Sequence, residues 1–525
     1  MKQRIHSNLV SGRGFRIGGI IAAELAGLIL AGCTVGTDFP RPAAPDVQGY
    51  TPEPPAAPVA TPGVGAGEGQ RFEPGADIPG QWWTLFRSTE LNRLIEEALR
   101  ANPNLDAAQA ALRQARENLY AGEGAIYPTL AVNASGTRER FSGATFGSPG
   151  LSKTLSLTTA SLTLSYAPDV WGGTRRQIES LQAEAENERF LLEATYLSLT
   201  ANVVVAAVSM ASLDAQIKAT EDIIKIETDQ LGVVQHQFEL GGASKSDVLV
   251  QESTLAQTRA TLPPLQKQLA QTRNQLMTYL GRLPSQAADE RFALADLHLP
   301  EDLPLSLPSK LVEQRPDVRS AEAQWHAANA SVGVAIANEL PQFGITGQLG
   351  TIGAELNQMI TPGGLVWSLG GSVAQTVVDG GTLLHKKRAA DAANDQAAAM
   401  WRATVQSAFQ DVANALRALQ SDAAALQAQA AAERAAAASL DLARTQYKLG
   451  AITYLTLLNA QQLYQNALIN LVRARAARLS DTAALFQALG GGWWNRADPA
   501  PPGDSGSDHF ALPPFESVKL PVMAN

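Results

Sequence analysis

Between residues 192 and 238 apolar side chains recur at a spacing of seven. Tyr196, Val203, Met210, Ile217, Ile224, Leu231 and Phe238 form one row, and Leu192, Leu199, Ala206 and Leu213 fill the interleaved positions. Such a and d rows predict a long helix packed along its length. A shift of 209 residues gives Val405, Val412, Leu419, Leu426, Glu433, Leu440 and Tyr447, the same register with one polar interruption at Glu433. Helices of about 65 residues at ~1.5 Å each reach roughly 100 Å. They exceed any ordinary domain diameter and must pack lengthwise, and a strict seven-residue period winds them left-handed.

A second period, of two, appears in two short regions. Between Pro341 and Asp379, Leu365, Trp367, Leu369, Val373 and Val377 alternate with Ser368, Ser372, Ala374 and Thr376. Between Pro128 and Pro168, Leu162, Leu164 and Tyr166 alternate with Ser161, Thr163 and Ser165. Segments of about ten residues, apolar on one side and small or polar on the other, predict transmembrane β-strands. A half-buried sheet in water has the same period, so the pattern alone leaves both open. The two β-hairpins are placed at about 129–169 and 342–379.

The chain repeats itself. "NPNLDAAQAALRQARENLYAGEGAIYP" (102–128) aligns without a gap to "RPDVRSAEAQWHAANASVGVAIANELP" (315–341). Gly172-Gly173-Thr174 recurs as Gly380-Gly381-Thr382, "QFELGG" (237–242) as "QYKLGA" (446–451), and Leu280-Gly281 as Leu489-Gly490. Each copy reads as helix, strand pair, long helix, tight turn, helix. The first repeat is assigned to 81–281, a connection to 282–304 and the second repeat to 305–494. Four strands cannot close a sheet inside a bilayer, where every backbone group must be paired. If these strands span a membrane, several copies must each contribute four.

The ends read differently. Lys2, Arg4, Arg13 and Arg16 precede an apolar stretch from Ile17 to Ala31, interrupted by Glu24. This arrangement predicts a secretory signal over 1–32. Cys33, the sole cysteine of 525 residues, closes it in the run Leu30-Ala31-Gly32-Cys33. Residues 33–80 are dense in Pro, Gly and Ala and read as an extended linker, and 495–525 reads as a flexible tail.

Composition narrows the function by exclusion. A net charge of −9 argues against nucleic acid as a partner. One cysteine allows no disulfide framework. The histidines, His6, His236, His298, His326, His385 and His509, are scattered, and no HExxH, GxxxxGK[ST] or GxSxG occurs. Neither a metal site nor a catalytic constellation is expected, so the chain reads as a non-enzyme.

The duplicated plan, "WWTLF" (82–86), the "LG" turns, the closing "LGGGWW" (489–494) and the lipobox-like run before Cys33 together resemble a TolC-like outer-membrane factor. The similarity is to the lipoprotein branch serving resistance-nodulation-division efflux systems, and it covers about 81–494. The resemblance implies a homotrimer: a 12-stranded transmembrane β-barrel continued by a 12-helix coiled-coil periplasmic tube. It implies a passive exit duct for small molecules, with a periplasmic adaptor (membrane fusion protein), an inner-membrane RND pump and outer-membrane lipid as partners. It makes Cys33 the lipidation site, carrying diacylglycerol and an N-acyl chain, and no other cofactor is expected. Thr34 after it, rather than aspartate, implies sorting to the outer membrane. Several acyl chains on one residue hold firmly where one would not.

The resemblance also places a periplasmic gate at "LGGASKSD" (240–247) and "LGAITYLT" (449–456). Gly241 and Gly450 suit left-handed helix ends. Tyr447 and Asp247 match the family's gate tyrosine and an acidic position, while Thr456 and Asn459 stand where aspartates are common. A mild constriction by hydrogen bonds and the Asp247–Lys245 neighbourhood is expected. Ser244, Ser246 or Asp247 could equally cap the next helix, and Phe238 and Tyr447 could simply continue the heptad core. Trp493 and Trp494 suit packing better than a membrane belt, and Arg175, Arg176, Lys386, Lys387 and Arg388 read as a solvated charged face. Two other functions stay open: the exit duct of a protein-secretion system, and a periplasmic adaptor or structural protein that is no channel.

Overall fold

The computed structural model describes residues 34–142, 147, 152–287 and 292–496. Residues 1–33, which include the expected signal segment and Cys33, and residues from 497 onward lie outside the described residues. In chain order the elements are β1 (Arg71–Pro74), α1 (Thr89–Ala101), α2 (Pro103–Gly124), β2 (Thr129–Ser142), β3 (Ser152–Tyr166), α3 (Gly173–Glu239) and α4 (Lys245–Tyr279). Then come β4 (Asp302–Leu305), α5 (Pro308–Gln314), α6 (Pro316–Asn338), β5 (Gln342–Gly353), β6 (Leu365–Ala374), α7 (Thr382–Lys448) and α8 (Tyr454–Ala488). The series α2, β2, β3, α3, α4 thus recurs as α6, β5, β6, α7, α8. Both long helices have 67 residues and both return helices 35.

Local chemistry sets the boundaries. Pro103 and Pro316 open α2 and α6, where a missing N–H costs nothing. Asp169 starts α3 by accepting the N–H groups of Thr174 and Arg175, each at 3.0 Å. Asp379 does the same for α7 through Gly381 (2.8 Å) and Leu383 (2.7 Å). These donors hold the Asp379 carboxyl below the usual aspartate range.

The chain divides into two compact units. One comprises the chain up to Ala44, Ala110–Leu191 and Pro316–Ser407; the other Pro45–Gln109, Leu192–Arg315 and the chain from Ala408 on. The first holds an antiparallel sheet in the order β2-β3-β5-β6. Val132 faces Leu162, Leu162 faces Leu349, and Leu349 faces Trp367, so one register carries apolar residues across all four strands. Helix α6 packs on α3 through Ser180 Oγ, which donates to Ala327 O at 3.1 Å, and through Asn187, which accepts from Ser320 Oγ at 2.6 Å.

The second unit contains the aromatic core. Trp82 stacks on Phe486 at 5.3 Å and meets Phe86 edge-on, while Ile78, Leu91, Leu94 and Ile95 are fully buried. Most of the apolar stretch of α3, including Val203, Val204, Ala207, Val208, Met210 and Ala211, is buried as core too. Trp493 Nε1 donates to Gln314 O at 2.7 Å and Trp494 Nε1 to Asp77 Oδ1 at 2.9 Å, so both tryptophans serve packing. Asn495 and Arg496 continue this contact, Arg496 pairing with Glu193 at 2.7 Å.

The Pro/Gly-rich segment has almost no regular structure, yet it is held at intervals. β1 pairs in parallel with β4. The fully buried Arg478 donates to Ala66 O (2.9 Å) and Glu68 O (2.6 Å), and Gln70 donates to Pro300 O. Composition suggested free linker; side chains from distant parts of the chain supply the order.

Candidate functional site

Two regions carry chemistry beyond packing, one in each unit. In the first unit it is the sheet surface. Alternation places Leu130, Val132, Leu162, Leu164, Ile345, Leu349, Trp367, Leu369 and Val373 on one face, with Asn133, Ser135, Thr159, Ser161, Thr163, Gln348 and Ser368 on the other. The apolar face is uncovered in the single chain: Val132 is 81% exposed and Trp367 74%. The polar face is knitted across strands, Asn133 Nδ2 to Thr163 Oγ1 at 3.1 Å and Ser135 with Thr159 at 2.7 Å. Among the described residues, both outer strands, β2 and β6, present unpaired edges. β6 ends at Ala374, so Val377, expected in the strand, lies beyond it.

The apolar band has a far border. β5 runs out at Gly353, opposite Thr158. Past that level β2 and β3 continue as a pair alone and their polarity flips. Arg138 and Arg140 now take the face that carried Leu130 and Val132, while Phe141, Leu155 and Leu157 take the other. The 12 residues of β5 measure about 40 Å. Tilted ~40°, they stand roughly 30 Å tall, close to the ~25 Å apolar band of a membrane barrel.

In the second unit the site is the ends of the long helices. Gly241 (φ +79°) and Gly450 (φ +71°) take the left-handed conformation. Gly242 N–H reaches back to Gln237 O at 2.7 Å and Ala451 N–H to Gln446 O at 2.9 Å, closing both helices in the same motif. Helix α4 then starts with a reciprocal cap. Asp247 N–H donates to Ser244 Oγ (3.1 Å), and Asp247 Oδ2 accepts from both Ser244 N–H (2.9 Å) and Ser244 Oγ (2.7 Å). The Ser244 donors hold the Asp247 carboxyl below the usual range. Helix α8 starts on Thr453, which accepts from Thr456 N–H at 3.4 Å.

The gate residues expected from the sequence are therefore divided among different tasks. Asp247 serves the cap. Lys245 makes no ion pair with it among the described residues; its Nζ lies 5.8 Å above the Phe238 ring. Thr456 belongs to the α8 cap, and Asn459 is exposed. Tyr447 does bridge the repeats, its hydroxyl donating to Gln237 Oε1 at 3.0 Å, with its ring 5.6 Å from Tyr454.

Pattern reading missed a buried polar cluster behind these turns. Glu227, 2% exposed, accepts at Oε1 from Thr258 Oγ1 (3.1 Å), and its backbone carbonyl accepts from Gln251 Nε2 (2.8 Å). Gln251 Oε1 accepts from Tyr454 Oη, which ties α8 to the α3–α4 pair. Glu227 Oε2 is buried with no hydrogen-bond partner among the described residues, and burial raises the carboxyl above its ordinary value, with Thr258 opposing. The signal was present: Leu213, Thr220, Glu227 and Val234 continue the interleaved heptad row at sevens.

A second acid lies in the other repeat. Burial, with Asp481 alongside, pushes Asp422 up to about 7, while Arg478 opposes. Two carboxyl groups bond each other only if one keeps a proton. Of the basic residues after the strands, Arg176 alone is buried; Arg175, which pairs with Asp169 at 3.2 Å, Lys386 and Arg388 are exposed, as a solvated face requires.

Comparison with known proteins places this architecture. The family profile described as "Outer membrane efflux protein" matches residues 94–282 and 307–491. The pyoverdine export outer membrane protein OpmQ of Pseudomonas putida is 28% identical over 449 residues, covering 84% of this chain and 94% of that one. The toluene efflux pump outer membrane protein TtgF of Pseudomonas putida is 30% identical over 478 residues, covering 89% and 95%. Among solved structures, the outer-membrane channel OprN superposes with a TM-score of 0.78 at 26% identity, over 88% of this chain and 100% of that one.

Proposed function

The chain belongs to the outer membrane efflux protein family, and from that premise we propose that it is the exit duct of a tripartite efflux pump. Three copies each lend four strands to a 12-stranded barrel, and their long helices continue it as a periplasmic tube. Small molecules leave passively through it, driven by an inner-membrane RND transporter and handed on through a periplasmic adaptor. Lipid on Cys33 anchors each copy to the outer membrane.

The observation that carries this reading is the sheet: an uncovered apolar face, a polar face and two unpaired edges. An open edge in hydrocarbon is untenable, and four strands do not close, so identical neighbours are the economical remedy. An adaptor that only bridges partners has no use for a lipid-facing band of that height. Ducts whose names specify pyoverdine and toluene match this chain over most of its length, which supports a conduit that selects little, the pump choosing the cargo.

Closure is assigned to the helix turns. The Tyr447–Gln237 and Tyr454–Gln251 bonds join the repeats there, with Lys245, Asp247, Thr456 and Asn459 around them. An adaptor opens the tip by binding the open state more tightly, by about 5 kcal/mol for near-complete inversion. Detergent extracts of outer membranes should yield heat-modifiable trimers that give discrete conductance steps in planar bilayers. A monomer soluble without detergent, with its alternating segments in water, would overturn the proposal.

A further inference from the structure

The first residues after Cys33 are docked. Val35 N–H donates to Trp171 O at 3.0 Å, in the turn between β3 and α3. The guanidinium of Arg176, a residue 4% exposed, reaches three groups of the same segment: Val35 O at 3.1 Å, Gly36 O at 3.3 Å and Asp38 Oδ1 at 2.8 Å. Its other arm donates to Glu179 Oε2 at 2.7 Å. Glu179 Oε1 meets His326 Nε2 at 2.9 Å, and Phe39 stacks on that imidazole at 4.6 Å.

The fit depends on absent side chains. Gly36 has φ +88°, and a Cβ there would lie 2.8 Å from Gly333 Cα. A Cβ on Gly172 would lie 2.6 Å from Thr34 Cγ2. Ordering an irregular segment costs backbone entropy. A buried fork that bonds two carbonyls and two carboxylates offsets that cost, and lysine, with a compact ammonium, cannot span all four.

We infer that Arg176 is a positioning residue, a clasp that docks residues 34–38 against the β3–α3 turn and the α6 backbone. A lipid on Cys33 then enters the bilayer at the level where the sheet leaves it. Adjacent Cα atoms lie ~3.8 Å apart, and Thr34 packs on Gly172, just past the end of β3. Anchor and barrel wall therefore share one base, and insertion depth is fixed at a single place. The inference rests on the reading that Cys33 is lipidated.

The test uses a spin label on Thr37→Cys in full-length protein reconstituted in lipid vesicles. The clasp predicts slow label motion, roughly 10 ns, and power-saturation contrast at headgroup depth. Arg176→Met should shorten the motion to about 1 ns, the range of free loops, and Arg176→Lys should restore part of the restraint. Gly36→Val attacks the docked segment alone and should act like Arg176→Met even if that variant folds poorly. Fast motion in the native background, no response to either variant, or a label far from the headgroups overturns the clasp. Mass analysis of the N-terminal peptide reads lipidation separately: a slow label on a lipid-free peptide overturns the anchoring half and not the docking.

Discussion

Where the first hairpin, α3 with α4, buries Glu227, Gln251 and Thr258 against one another, the second, α7 with α8, has Ala436, Ala460 and Ala467 at the matching places. Lys245 over the Phe238 ring corresponds to Tyr454 beside Tyr447. Helix α4 carries Pro263 and Pro264 in its interior, where α8 has Val472 and Arg473. Alanine seams hold helices by close, non-directional contact, which tolerates sliding. Buried hydrogen bonds hold them in one register, and the penalty for breaking one is steep because its partners stay dry. The first hairpin is therefore the directional half of the tip, and the second is its smooth counterpart.

The harshest way to break that distinction is at Gln251. Gln251→Leu strands Tyr454 Oη at about 1–3 kcal/mol and removes the cross-helix donor to the Glu227 carbonyl, which keeps its own helical bond. If the closed tip bears that loss, the open population and the leak conductance in planar bilayers should rise about 10-fold or more. Ala460→Ser, at the equivalent place in α8, should leave conductance nearly unchanged, since a helix serine can bond its own backbone. Equal leaks from the two variants would dissolve the contrast between the hairpins.

Protonation sharpens it next. A buried glutamate with a raised folded value keeps its proton longer in the folded state than in the unfolded one. The stability it allows is full at low pH and falls as pH climbs from the ordinary glutamate range through the raised value. Glu227→Gln should flatten that slope in helix melting followed by circular dichroism. Ala436→Glu should create a second slope in the alanine hairpin. Asp422 gives the larger decline, running from the ordinary aspartate range up through about pH 7, although Arg478 nearby favours the charged form. Asp422→Asn should remove it, and an unchanged melting profile would overturn the assignment of that slope to Asp422.

How far the sequence could show this follows from which interactions repeat. The a and d rows and the strand alternation were legible because one period places many apolar residues on one face. Glu227 and Asp422 were not, although both lie on the interleaved heptad row: Asp422 is the counterpart of Leu213, and a hydrophobic pattern ends where a polar residue enters it. The reversal of polarity in β2 and β3 past Gly136 was hidden for a related reason. Backbone pairing continues there while side-chain polarity reverses. Least legible was the Pro/Gly-rich segment, whose order comes from Arg176 and Arg478, far away in sequence. Arg176 read as solvated because charge predicts exposure until a carbonyl-lined site is known.

The mildest comparison concerns how the two return helices begin. Helix α4 opens on a two-way cap between Ser244 and Asp247, whereas α8 opens on Thr453 with Thr456 and no carboxylate. An acid in the first turn also faces the positive end of the helix dipole. Ser244→Ala should cost about 1 kcal/mol and Asp247→Ala less, since Ser244 can still accept from the backbone. Thr456→Asp should stabilise the start of α8 by a few tenths of a kcal/mol, read as added amide-exchange protection in its first turn. Were Asp247 instead part of the closing contact, its alanine variant would raise leak conductance as Gln251→Leu does. Protection lost at the start of α4 with conductance unchanged confines Asp247 to the cap.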